Sequence, residues 1–220
     1  MIEPDFLRET RTSYDAVATA FAAQFRDELT SKPWDRAVLT AFAELVQRTG
    51  GGPVADVGCG TGAVTGYLSG LGLAAFGIDL SPGMLAVARR DHPDLRFDEG
   101  SMTALDLPEN GLAGITAWYS IIHVPDELLP ETFAGFHRAL APGGHLAMVF
   151  QVGDEPVIRT EGFGQPLSLT FRRRRPEQVA ALLTDAGFTL RAQLVREPEP
   201  YDGGTEKTPQ AYLLARKPGP

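Results

Sequence analysis

Apolar positions recur at spacings of three and four over residues 12–29, where Tyr14, Val17, Ala18, Phe21, Phe25 and Leu29 share one helical face. Ser13 followed by Asp15 suits a capped start for that helix. A second amphipathic run leads from Pro33 to about Thr49, with Trp34, Val38, Phe42, Leu45 and Val46 inward and Arg36, Glu44 and Arg48 outward. Gly50-Gly51-Gly52-Pro53 ends it. From Val54 the pattern changes: compact apolar runs at 54–57, 73–79, 95–97, 112–119 and 145–150 predict buried strands, with helices between them at 62–70, 82–91 and 126–140. That rhythm predicts a doubly wound, mostly parallel sheet. Pro176 opens a further helix to about Ala186, Gly187 stops it, and β-like runs at 189–195 and 211–215 predict an antiparallel pair at the carboxyl end. The expected fold class is therefore α/β: seven strands, the last two antiparallel, with helices on both faces and an N-terminal helical lid. With no repeat and no linker in view, one domain is expected over 1–220: a lid and acceptor cap at 1–49, a core at 54–150, and an insertion plus terminal helix and strands at 151–220.

Composition narrows the chemistry. A chain of 220 residues with 43% hydrophobic and 22% charged positions can bury a sizeable core. Its net charge of -8 opposes a phosphate polyanion as partner, so no nucleic acid is expected. No run reaches the roughly 20 apolar residues needed to cross a bilayer, and MIEPDFLRET is acidic where a secretory leader would be basic and then apolar. A cytoplasmic protein with no membrane partner and a small-molecule substrate is the expectation. Cys59 has no second cysteine to pair with, and the acids Asp98, Glu99 and Asp106 lack a histidine at ligand spacing, so no metal is expected. Cys59 reads as a small space-filler, and His92, His137 and His145 carry no assigned chemistry.

The run VADVGCGTGAVTGYL leaves a buried strand through Gly58, Gly60 and Gly62 and enters a helix, a turn that lets main chain approach a ligand closely. The next strand, LAAFGIDL, delivers Asp79 at its carboxyl end, where a carboxylate can accept both hydroxyls of a ribose. Ser81 is the better cap for the helix that follows, which leaves Asp79 free for a ligand. The GxGxG spacing differs from the GxGxxG of dinucleotide sites, which disfavours pyrophosphate without excluding it.

Over residues 54–150 these motifs resemble the class I, Rossmann-like methyltransferases that use S-adenosylmethionine, especially the UbiE-like small-molecule subgroup. DVGCGTG is similar to their first motif, LPENGLAGITAWYSIIHVP to their fourth strand and outgoing loop, and LAPGGHLAMVF to their following helix end, turn and fifth strand. The resemblance implies that Asp56, Gly58, Gly60 and Gly62 surround the methionine portion of the cofactor, that Asp79 holds the ribose and that Leu80 lies against the adenine. Ser101 and Met102 stand where the family often places an acid near the adenine amino group, with Asp98 and Asp106 as nearby acids. S-adenosyl-L-homocysteine would be the product of the donor.

Methyl transfer is an in-line displacement, so the protein supplies distance, angle and dryness. A base helps when the acceptor arrives protonated, and His123, just beyond the fourth strand, has a near-neutral reference pKa suited to that task. It can equally be a packed loop histidine satisfying a carbonyl. Trp118 and Tyr119 could offer aromatic faces to the sulfonium, or simply pack the strand end. Tyr14 resembles the lid tyrosine of small-molecule methyltransferases, while its helical spacing suits the core. Arg172, Arg173, Arg174 and Arg175 read as a solvated basic face, or as one or two grips on an anionic acceptor. The expected reaction is methyl transfer to oxygen or nitrogen of a small metabolite, less readily to carbon or sulfur. The competing readings are an NAD(P)-dependent oxidoreductase and a cofactor-binding protein without transfer activity.

Overall fold

The computed structural model describes residues 4–201 and 204–219. Three helices open the chain: α1 (Asp5–Phe25), the single turn α2 (Glu28–Ser31) and α3 (Pro33–Arg48). Then follow β1 (Pro53–Val57), α4 (Ala63–Gly70), β2 (Ala74–Asp79), α5 (Pro82–Asp91), β3 (Phe97–Glu99), β4 (Leu112–Trp118), α6 (Leu129–Ala139) and β5 (Leu140–Gln151). The remainder comprises β6 (Val157–Gly162), β7 (Gln165–Phe171), α7 (Pro176–Asp185), β8 (Thr189–Arg196), β9 (Pro200–Tyr201), β10 (Gly204–Thr205) and β11 (Gln210–Arg216).

Seven strands form one sheet in the order β3-β2-β1-β4-β5-β11-β8. The first five run parallel, and β11 slots antiparallel between β5 and β8. Parallel strands covered on both faces must be apolar throughout, and β1 and β4 are buried almost end to end. One core layer packs α6 and α7, through Phe133, Phe136, Val179 and Leu183, against Ile115 and Met148. The opposite layer packs α3 and α4, through Phe42, Val46 and Leu68, against Val54, Val149 and Tyr212. The strand order reverses between β1 and β4, and the carboxyl ends beside that reversal are where such sheets gather ligands.

Several expected boundaries move. Helix α1 starts at Asp5, so Ser13 and Asp15 lie inside it and cannot cap it. Helix α6 ends at Ala139, and β5 begins immediately, with a register shift where Leu112 and Gly114 pair with Leu140 and His145. Strand β3 falls at 97–99 rather than 95–97. Within 151–175 the short β-like pattern of residues 167–171 falls in β7, which pairs with an unforeseen partner: β6 and β7 make a separate hairpin closed by Phe163 and Gly164, with φ of 54° and 71°. Two successive left-handed residues are what a tight hairpin turn needs, and phenylalanine is a costly choice for the first of them.

Candidate active site

The glycine loop divides its labour. Gly58, Gly60 and Gly62 have φ of 77°, 53° and 83°, a region that favours glycine. A Cβ on Gly58 would fall 2.3 Å from the Cβ of Ser120, and one on Gly62 would meet Phe97 at 2.9 Å; around Gly60 the space is open. Gly58 and Gly60 line a cavity of about 660 Å³, a volume suited to small-molecule binding. Asp56 and Gly62 lie behind the residues that line it. Asp56 is fully buried behind the loop and accepts hydrogen bonds from the hydroxyls of Thr65 (2.7 Å) and Thr116 (2.8 Å), tying β1 to α4 and β4. Burial pushes its pKa up to about 6, against those two bonds.

Asp79 closes the loop from β2. The Gly60 amide donates to its Oδ2 and the Ser81 amide to its Oδ1, each at 2.8 Å. These two bonds, one to each oxygen, fix the plane of the carboxylate, whose remaining acceptor capacity suits two neighbouring hydroxyls. Burial raises its pKa, while the amides of Ser81, Gly60 and Leu80 oppose the rise. Leu80, Ser101, Met102 and Thr103 continue the cavity wall. The Ser101 hydroxyl already accepts from the Thr103 amide (3.3 Å) and shares a bond with the Thr103 hydroxyl (2.8 Å). Asp98 pairs with Arg96 at 2.9 Å, and neither it nor Asp106 lines the cavity, so these acids do not stand in for an adenine contact there. An open space over Gly60, bounded by a fixed carboxylate and by Leu80, fits a nucleoside with a free ribose edge.

Across the cavity, the aromatic pair departs from expectation. The Trp118 indole donates to Asp35 (3.1 Å) and packs within the core beside Tyr212. Tyr119 adopts φ of 50°, and the Lys32 ammonium lies 5.6 Å from its ring centroid. A protein cation therefore already occupies the ring face that was expected to meet a sulfonium, although both side chains do line the cavity.

His123 sits in the short 3₁₀ turn Ile121–His123 after β4. Its Nδ1 lies 3.0 Å from the Thr170 carbonyl, which can only accept, so Nδ1 carries the proton. Nε2 is then the acceptor for the Tyr14 hydroxyl at 2.8 Å. Burial drives the His123 pKa down to about 4, with Arg172 and Arg174 adding to the fall. Of the two readings of His123, the bond to the Thr170 carbonyl fits the packed loop histidine, and its other nitrogen is taken by Tyr14. Burial and Asp79 push Tyr14 well above the usual tyrosine range, so its hydroxyl keeps its proton. Sequence placed the two residues in the site singly; the fold makes them a pair.

The arginines separate by role. Arg172 donates to the His123 carbonyl, and Arg174 binds the Ile121 and Val124 carbonyls and Asp126. Arg175 pairs with Asp154 on the surface. Arg173 alone of the four lines the cavity, while Arg172 and Arg174 brace the His123 turn. Lys32, Glu206 and Gln210 also line it and were not anticipated. The one available signal was a glutamine heading the otherwise apolar run of β11.

Comparison with known proteins agrees with this geometry. A family model described as a methyltransferase domain matches residues 54–144. The demethylmenaquinone methyltransferase of Paenarthrobacter aurescens is 30% identical over 208 residues, covering 82% of this chain and 79% of its own length. The trans-aconitate 2-methyltransferase of Rhizobium meliloti is 32% identical over 189 residues, covering 81% and 63%. The structure of DhpI in complex with SAH superposes with a TM-score of 0.70 at 25% identity over the whole of both chains. The chain spans about half the length of three other curated demethylmenaquinone methyltransferases that it matches. No helix among the described residues is long and apolar enough to cross a membrane. A glycine loop after β1, a carboxylate fixed at the end of β2, a seven-stranded sheet with β11 inserted and a methyltransferase relative 30% identical over 79% of its length lead to one statement: the chain belongs to the class I S-adenosylmethionine-dependent methyltransferases.

Proposed function

We propose that this chain transfers the methyl group of S-adenosylmethionine to an oxygen or nitrogen atom of a small, anionic metabolite. The observation that carries the reading is Asp79, held by the Gly60 and Ser81 amides with acceptor capacity remaining, at the edge of the cavity. Asp79 would hold the ribose hydroxyls, Gly58 and Gly60 would pass the aminoacyl portion, and Leu80 and Met102 would flank the adenine. The cofactor, when bound, supplies an electrophilic methyl and a neutral leaving thioether. The chain would position the acceptor and exclude water, as a single domain with α1 to α3 as lid and acceptor cap. Tyr14 lends a hydroxyl that can accept from the acceptor while donating to His123. Because the Tyr14 hydroxyl occupies its Nε2 and burial makes that imidazole a weak base, the pair orients the acceptor and does not strip it of a proton, so the reacting atom arrives as an ionised oxygen or a neutral amine. Support for the anionic character comes from Arg159, Arg173 and Lys207 along the cavity wall.

Calorimetry checks the reading directly. S-adenosylmethionine and S-adenosylhomocysteine are expected to bind, NAD to leave no signal, and Asp79→Asn to weaken donor binding by about tenfold to a hundredfold through lost charged hydrogen bonds. A labelled-donor screen of cell metabolites then identifies the product. NAD binding in place of the donor would refute the assignment.

A further inference from the structure

Four buried side-chain polar atoms lack a hydrogen-bond partner among the described residues: Tyr119 Oη, Arg173 Nε, Gln210 Oε1 and His145 Nε2. The first three belong to residues that line the cavity; His145, near the start of β5, does not. Buried polar atoms are normally paired, so three orphans around one cavity mark where a ligand's complementary atoms belong.

Their placement is coherent. Gln210 heads β11 and stands opposite Gln151 in the ladder with β5. The Gln151 carbonyl accepts the Arg174 amide at 3.0 Å, which brings the preceding residue, Arg173, to the same strand end. There the Arg173 Cδ lies 3.0 Å from where a Cβ on Gly153 would be, so the absence of a side chain on Gly153 makes room for it. Tyr119 follows β4, its amide bonded to the Val149 carbonyl of β5 at 3.0 Å. The three orphans thus gather at the carboxyl ends of β4 and β5 and the adjoining start of β11. Asp79 and the glycine loop lie on the other side, at β2 and β1. A donor and an acceptor set out in this way would meet over β4.

The chemistry of each orphan is fixed. The Gln210 amide nitrogen donates to the Thr208 carbonyl at 2.7 Å, so its oxygen is the free end and can only accept. Arg173 can only donate, and carries a charge that no side chain of the described residues neutralises through an ion pair or hydrogen bond. Tyr119 can do either, and its left-handed backbone is the kind of strain that binding sites retain. We infer that Arg173, Gln210 and Tyr119 form the acceptor subsite, and that it takes a small polar molecule carrying one anionic group and one hydrogen-bond donor, a hydroxyl or an ammonium. This deepens, and rests on, the methyltransferase reading. Arg173 takes the anion, Gln210 the donor, and Tyr119 bridges them toward the reacting atom.

Protein loaded with S-adenosylhomocysteine provides the test. It is titrated by calorimetry with 2-hydroxy acids of increasing chain length, their methyl esters, the same acids lacking the hydroxyl, and 2-hydroxyalkyl phosphates as a parallel arm. Hydroxy acids or hydroxyalkyl phosphates are expected to bind at least about tenfold more tightly than either control, the tighter arm identifying the anion as carboxylate or phosphate. Arg173→Leu should erase the preference for the free acid over its ester, and Gln210→Leu the preference for the hydroxyl. Both variants should bind S-adenosylhomocysteine as the parent does; Arg173→Leu should also melt no lower, because its guanidinium loses no protein partner, whereas Gln210→Leu removes the bond to the Thr208 carbonyl and is read by its ligand preference alone. Binding of either control as tight as that of the hydroxy acids and hydroxyalkyl phosphates, preferences that survive both substitutions, or no binding in either arm would overturn the inference. Failure of the parent protein to take up S-adenosylhomocysteine would strike the methyltransferase reading instead.

Discussion

Two buried titratable residues beside the site pull stability in opposite directions as the pH falls. His123 titrates at about 4 in the fold and near 6.5 in an unfolded chain, so between those values only the unfolded state takes the proton and the fold loses stability. Asp56 titrates at about 6 in the fold and near 3.8 unfolded, so over much the same window the folded state takes the proton and gains stability. Each contribution is about 3 kcal/mol and they largely cancel. Removing one exposes the other: the stability of His123→Gln relative to the parent should climb by about 3 kcal/mol as pH falls from 6.5 to 4. Urea titrations at several pH values measure this, and a constant difference between the two proteins would show that His123 does not stay neutral. The same neutrality bears on turnover, because a histidine in this state leaves no inflection near pH 6.5 in a rate profile.

At the scale of elements, α1 is a strap fastened on both flanks of the cavity. Asp15 accepts from the Ser81 hydroxyl (2.6 Å) and the Gly83 amide (2.8 Å) at the start of α5, where a carboxylate also meets the positive end of the helix. Ser13 accepts from the Ser168 amide of β7 at 2.9 Å, and Phe163 at the hairpin turn packs its ring on Phe21 and Phe25. Asp15→Ala should therefore cost about 1–2 kcal/mol and speed amide exchange in α1 without changing exchange in β1, β4 and β5. Unchanged exchange in α1 would mean that the strap is held by its apolar face alone. These roles also show what the chain discloses on its own. The loop glycines, Asp79 and the core strands were legible because each depends on near neighbours and on apolar period. The polar pattern of Ser13 and Asp15 suggested a local cap, yet their partners lie 155 and 68 residues away. Nor could spacing sort Arg173 from Arg172 and Arg174, since only the docking of β7 and the 172–175 segment against the His123 turn and β5 decides which guanidinium meets the cavity.

For the molecule as a whole, the far wall of the cavity is where the two ends of the chain are joined. Lys32 and Asp35, around the start of α3, meet Arg196 of β8, Glu206 beside β10 and Tyr212 of β11 in one buried polar network. Lys32 bonds Glu206 at 3.0 Å, Arg196 pairs with Glu206 and donates to the Tyr212 hydroxyl at 2.8 Å, and Tyr212 and Trp118 both donate to Asp35. Such a network adds little to stability while intact, because desolvation offsets attraction, but losing one member leaves charges stranded. Burial alone would raise the Glu206 pKa; Arg196, the Glu199 amide and Lys32 outweigh it and hold the carboxyl at about 2. Its contribution is thus complete above pH 4.5 and is lost as pH falls toward 2. Glu206→Gln keeps the shape but removes the charge that Arg196 and Lys32 share, leaving Lys32 to Glu28 at 2.9 Å and Arg196 to Glu199 at 3.7 Å, and is expected to cost about 1–2 kcal/mol near neutral pH. The gap between variant and parent should close as acid protonates Glu206 in the parent. A gap that persists to pH 2 would place the cost in packing rather than in charge, and the ends of the chain would then be joined by something other than this carboxylate.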